Sequence, residues 1–158
     1  MKNTIEQALQ SQELKYQVLE DTTNRMVIRM GMGMPNSRFD VYIDVRPDAG
    51  QVLIFTVFPT LIPENQRVRV AEFITRANYG LIIGNFELDF GDGELRYKAT
   101  YFYDDTFPAS QTTFLKSLYT CFHMMDRYLP GVMAVTYANT LPIVAIQQAE
   151  KNNNPRDN

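Results

Sequence analysis

The sequence predicts an α+β domain, a twisted antiparallel sheet flanked by helices in the order α-β-β-β-β-α-β-β-α-α. Three observations carry this prediction. Within residues 14–58, β-branched and aromatic residues alternate with polar ones and are interrupted by the turn formers "DTTN", "GMPNS" and "PDAG", the pattern of strands joined in antiparallel series. Two later segments, "ENQRVRVAEFITRANYG" and residues 110–129, repeat apolar side chains every three or four positions, the period of helices that bury one face. A chain of 158 residues is about one domain long and buries roughly two-thirds of its unfolded surface in one core. No linker or internal repeat divides it, so we expect one domain over residues 1–150 and a disordered polar tail, "KNNNPRDN", over 151–158.

The first element, "NTIEQALQSQE", places Ile5, Ala8, Leu9 and Gln12 at helical spacing, with Asn3 or Thr4 available to cap the free amides of its first turn. Four strands follow: "LKYQVLE", "RMVIRMGM", "RFDVYIDVR" and "QVLIFTVF". In the third, Phe39, Val41, Ile43 and Val45 face one way while Arg38, Asp40, Tyr42, Asp44 and Arg46 face the other. A four-residue loop over 47–50, opened by proline and closed by glycine, pairs Arg46 with Gln51. Val45 then opposes Val52, Ile43 opposes Ile54, Val41 opposes Thr56 and Phe39 opposes Phe58. The other face of the fourth strand is apolar too, because Leu53, Phe55 and Val57 lie there beside Tyr42. A solvated face does not need them, so a helix, a partner or a second copy is expected to cover it.

The middle helix sets Val70, Phe73, Ile74 and Ala77 in one stripe and Arg69, Glu72 and Arg76 in another, with Gly80 as its stop. A hairpin comes next. Taking Asp92 and Gly93 as a two-residue turn, Glu94 opposes Gly91, Leu95 opposes Phe90, Arg96 opposes Asp89, Tyr97 opposes Leu88, Lys98 opposes Glu87 and Ala99 opposes Phe86, matching acid to base and apolar to apolar. The long helix buries Phe114, Leu118, Cys121, Phe122, Met125 and Leu129, and Pro130 with Gly131 kinks or breaks it. "VMAVTYAN" continues as helix or not; Thr140 can cap a last helix that starts at Leu141 or Pro142.

Composition excludes several functions. A net charge of -3 and an isoelectric point near 5.1 argue against a nucleic-acid partner, which usually requires a basic face. One cysteine and one histidine make neither a disulfide nor a histidine–cysteine zinc site; a reducing, cytoplasmic location is expected, with no export signal or membrane span. Glu87, Asp89, Asp92 and Glu94 miss the spacing of a calcium loop, since the third and fifth positions counted from Asp89 are Gly91 and Gly93. The glycines precede a strand and not the helix start that a phosphate loop requires. Cys121 and His123 point about 200° apart on one helix, which rules out a thiolate–imidazole pair. Arg67, Arg69 and Arg76 read as a solvated helix face interrupted by Glu72. Met26, Met30, Met32 and Met34 read as a core edge before a binding face. Asp104 and Asp105 are left as isolated carboxylates, and no metal, cofactor or catalytic set emerges.

The segment "AEFITRANYGLIIGNFELDFGDGELRYKATY" resembles the YbjN-like family. Asn78, Tyr79 and Gly80 end the middle helix; "GNFELD" follows as Gly84, Asn85, Phe86, Glu87, Leu88 and Asp89; a "DGE" turn, Asp92, Gly93 and Glu94, leads into a basic strand. The similarity runs over about 5–150. It implies a fold like that of type III secretion chaperones, dimerisation, and a role among bacterial sensory transduction regulators, with no catalytic residues. The expectation is a non-enzymatic, cytoplasmic protein-binding module, regulatory or chaperone-like, acting as a homodimer through Tyr42, Leu53, Phe55 and Val57, with no membrane or nucleic-acid partner. The alternative is a small-molecule sensor with a pocket between sheet and long helix, lined by some of Tyr97, Tyr101, Phe114, Phe122 and Met125.

Overall fold

The computed structural model describes residues 1–151; from residue 152 onward the expected tail lies outside them. Ten elements follow the predicted order: α1 (Lys2–Ser11), β1 (Gln17–Thr22), β2 (Arg25–Gly33), β3 (Arg38–Arg46), β4 (Gln51–Val57), α2 (Arg67–Gly80), β5 (Asn85–Leu88), β6 (Leu95–Phe102), α3 (Gln111–Tyr137) and α4 (Pro142–Lys151). The strands form one antiparallel sheet in the order β1-β2-β3-β4-β6-β5. The second hairpin thus joins the first four strands through β6, so that β4 lies between β3 and a strand some forty residues further along the chain.

Alternation decides which side chains form the core. Phe39, Val41, Ile43 and Val45 of β3 and Val52, Ile54 and Thr56 of β4 are buried on one face, joined by Met26, Ile28 and Met30 of β2. The helices lie on that face alone: α3 packs on β4 and β6, α1 and α4 pack on α3, and α2 packs on β5, α3 and α4. Met32 and Met34 also pack at the core edge, which supports the structural reading of the methionines.

The β3–β4 register is the predicted one, from Arg46 opposite Gln51 to Val41 opposite Thr56. It stops at Asp40 opposite Val57, because the next residue to face β3 is Pro59, which has no amide to donate; Phe58 bonds the Leu95 carbonyl of β6 at 2.8 Å, and Phe39 and Phe58 are buried without being ladder partners. β1 begins later than expected, after a connection through Glu13 at φ 53. Asn3 and Thr4 do not cap α1, which starts at Lys2 with Met1 before it.

The β5–β6 hairpin departs from the expected register by two residues: Phe86 opposes Tyr97, Glu87 opposes Arg96 and Leu88 opposes Leu95. The loop has four residues, not two. Asp89 donates its amide to the Glu94 carbonyl at 2.9 Å, while the Asp89 and Asp92 carboxylates accept the amides of Gly91 (2.6 Å) and Glu94 (2.8 Å). These side chain to backbone bonds favour the longer loop. Gly93 lies at φ 88, where a Cβ would collide with the Ile62 carbonyl, and its own carbonyl accepts the Ile62 amide at 2.8 Å. A shift of two keeps every side chain on its expected face, as a shift of one would not.

Gly80 is helical and precedes an extended Leu81; the left-handed glycine here is Gly84, at φ 78, whose missing Cβ would sit 2.6 Å from the Lys98 carbonyl. Pro130 does not end α3. A proline deprives the carbonyl four residues earlier, that of Asp126, of its helical donor. The Asn36 side-chain amide replaces it at 3.1 Å, and the Asp126 carboxylate accepts both the Asn36 backbone amide (3.0 Å) and its side chain (3.1 Å). Gly131 beside it meets Phe73 of α2, where a Cβ would lie 2.6 Å from the ring.

Candidate functional site

The sheet face away from the helices gathers the residues that alternation left unexplained. Register aligns three rows across β3, β4 and β6: Asp44–Leu53–Thr100, Tyr42–Phe55–Lys98 and Asp40–Val57–Arg96. Tyr42 and Phe55 are therefore cross-strand partners, and Leu53 and Val57 flank Phe55 on its own strand. All four are half-buried. Among the described residues no helix covers them; long charged side chains do so in part. The Arg96 guanidinium sits 4.7 Å from the Phe55 ring centroid, a cation–π contact that shields the ring while leaving it accessible at its edge. A shallow concavity of about 300 Å³, lined by Val27, Tyr42, Phe55, Val57 and Arg96 among others, opens at the centre.

Two ion-pair groups frame this apolar centre. Asp44, only 4% exposed, accepts from Arg25 at 3.1 Å on each oxygen and from Arg46 at 2.9 and 3.2 Å. Burial opposes its ionisation, but the two arginines outweigh it and hold the carboxyl below its ordinary range. Glu87 behaves alike: burial pushes its carboxyl up, and hydrogen bonds from Lys98 and Arg96 bring it below the ordinary value. Sequence reasoning found the apolar centre but missed Val27 and Arg96, whose place depends on β2 and β6 flanking β3 and β4. The alternation of β6 itself, Arg96, Lys98 and Thr100 on one face, was the available signal.

The remaining candidates have structural employment. Cys121 is buried, its thiol pushed up to about 12 by desolvation and its sulfur 3.7 Å from the Ile54 carbonyl; His123 is exposed on the other side of α3. Of the residues expected to line a sensor pocket, Tyr97, Phe114, Phe122 and Met125 are at most 2% exposed and close-packed, while Tyr101 is half-buried with a hydroxyl that has no partner among the described residues. Arg67 donates to the carbonyls of Ile62, Phe90 and Gly91, and Arg69 to those of Asn139 and Thr140. Arg76 pairs with Glu72 at 2.8 Å. Asp104 accepts the amides of Thr106 and Phe107 in a turn. No group of three or more metal-ligating side chains occurs among the described residues, and there no helix is long and apolar enough to cross a membrane.

The motif residues form a second constellation, at the β5 edge. The Asn78 side chain accepts the Phe86 amide at 2.7 Å and donates to the Phe86 carbonyl at 3.1 Å, completing the bonds that a further strand would otherwise make. The Phe86 ring packs edge-on against Tyr97 and Tyr128, and the Tyr97 hydroxyl donates to the Ile83 carbonyl. Asn85 opposes Lys98 and its side chain also reaches the Phe86 carbonyl, at 3.3 Å. Tyr79, by contrast, is 97% exposed and contributes nothing to packing.

The sequence profile of the YbjN family, described as "Putative bacterial sensory transduction regulator", matches residues 2–132. The crystal structure of E. coli YbjN, described as "a putative transcription regulator", is similar with a TM-score of 0.60 at 12% identity, covering 89% of this chain and 94% of that one. At that identity the likeness is one of fold alone. A structure of the HopA1–SchA chaperone–effector complex gives a TM-score of 0.48 at 16% identity, covering 78% of this chain and 88% of that one. No curated protein sequence matches this chain. With the family profile spanning most of its length, and with the Asn78–Gly80 and Gly84–Asp89 motifs holding the edge strand in place, the chain belongs to the YbjN family.

Proposed function

We propose that this protein is a non-enzymatic, cytoplasmic, regulatory or chaperone-like module that acts by binding proteins, a second copy of itself first among them, through the outer sheet face. The observation that carries this reading is the apolar centre of Tyr42, Leu53, Phe55 and Val57, half-buried with no helix laid across it. An apolar patch rimmed by charge is typical of a recognition surface, and the family description as a regulator agrees with it. The rim supplies orientation: Asp44 between two arginines and Glu87 beneath Arg96 and Lys98 present fixed charges of both signs.

Light scattering on the native protein at about micromolar concentration tests the reading. The native chain should run as a dimer whose melting temperature rises with protein concentration, and Phe55→Asp as a folded monomer whose melting temperature does not. A native protein that is strictly monomeric, together with a Phe55→Asp variant that retains every partner captured by the native one, would refute it.

A further inference from the structure

On the side of α3 turned away from the sheet, a groove of about 1010 Å³ runs between this helix and α4, and Lys116, His123 and Arg127 line it. Around α3 the three fall within about 40° of one another, and they are spaced ~10 Å and then ~6 Å along the axis, so they form a single row. None of the three is paired with a carboxylate among the described residues, although Arg127 donates to the Ala149 carbonyl at 3.4 Å and its guanidinium lies 5.1 Å from the Tyr128 ring centroid. The one carboxylate that lines the groove, Asp126, is 7% exposed and already engaged by Asn36. A chain whose net charge is -3 with its histidine neutral therefore turns two cations, Lys116 and Arg127, along this groove, against the single recessed carboxylate of Asp126 and with the polar imidazole of His123 between them. The accessible walls are apolar, with Met124 of α3 and Ile83 of the α2–β5 connection, while the fully buried Ala145 of α4 lies beneath the floor. That connection also carries Ile82, 93% exposed, directly after α2 and its exposed Tyr79.

We propose that this groove docks an acidic amphipathic segment of a partner protein, with carboxylates at Lys116 and Arg127, a hydrogen bond at His123 and apolar side chains against Met124 and Ile83. Charge complementarity selects an acidic occupant. The length of the row and its apolar walls select a peptide segment over a small anion, which would use one end of the strip and leave the walls bare. Two cations in a walled groove are too few and too recessed for a nucleic-acid duplex, which needs a broader basic face. The site is separated from the outer sheet face by α3 and the core, so each can fail without the other.

Fluorescence anisotropy with a labelled synthetic helical peptide, glutamates on one stripe and leucines beside it, provides the test against the full chain. Binding should saturate below about 1 mM and weaken at least about tenfold when glutamine replaces glutamate or when Lys116→Glu and Arg127→Glu are combined. Phe55→Asp should leave it unchanged. All three substituted side chains lie at or near the surface; Lys116→Gln with Arg127→Gln gives the same test with a smaller perturbation should the charge reversal lower the melting temperature. No saturation, equal affinity for the glutamine peptide, or indifference to the α3 substitutions would overturn the proposal. So would tighter binding of inorganic phosphate or a DNA oligonucleotide than of the acidic peptide.

Discussion

The two faces of the sheet are built from the same alternating strands and yet bear opposite consequences. On the inner face Val41, Ile43, Val45, Val52 and Ile54 have no exposed surface and belong to the one close-packed core, which cannot close over a missing methyl group. On the outer face Tyr42, Leu53, Phe55 and Val57 keep part of their surface in water, beneath arginines and lysines that can move. One face specifies the fold; the other is free to specify a partner. The contrast teaches that the apolar content of β4, which looks excessive for a half-solvated strand, is divided by parity alone between a closed core face and a half-exposed one.

The sharpest way to break this comparison is to truncate neighbours on β4. Ile54→Ala should cost about 2–5 kcal/mol in urea unfolding, as core truncations do, whereas Leu53→Ala, one residue away, should cost less than about 1 kcal/mol. Equal losses would mean that the outer face is as closely packed as the inner one. The closed edge comes second: Asn78→Ala leaves the outward amide and carbonyl of Phe86 without their partner and should cost about 1–3 kcal/mol, with faster amide exchange confined to β5 and its loop. Asn36→Ala should follow at about 1–2 kcal/mol, read as a lower melting temperature, since the Asp126 carbonyl freed by Pro130 loses its replacement donor.

Acid sharpens the comparison from the other side. The carboxyls of Asp44 and Glu87 lie below their ordinary values when folded, so their contribution is complete above the unfolded values of about 3.9 and 4.3 and disappears as pH falls through the folded ones. Unfolding measured from pH ~5 downward should therefore lose less stability in Asp44→Asn or Glu87→Gln than in the native chain. Both groups belong to the outer face, and an unchanged acid slope would deny them any part in holding it.

Much of this was legible in the residues. Period two in 38–46 and 51–57 identified the strands and their inner face, and proline and glycine in 47–50 set their register, because both are local effects of backbone geometry. The apolar half of the candidate site was legible for the same reason. The charged half was not: Arg96 reaches Phe55 only because β6 pairs with β4. The β5–β6 register was misread by two because aspartate followed by glycine suggests a two-residue turn, while the Asp89 and Asp92 side chains bond backbone amides and lengthen it. Pro130 suggested a break, and its remedy, Asn36, lies 90 positions before the Asp126 carbonyl it serves.

By itself, then, the sequence determined the elements, the parity of each strand and the helix stripes, since those depend on side-chain spacing within a few residues. Tertiary structure alone decided the strand order, the closure of the β5 edge by Asn78 and the passage of α3 through Pro130. Each of these requires a polar group to find a partner far away in the chain, and only the folded core brings such groups within hydrogen-bonding distance.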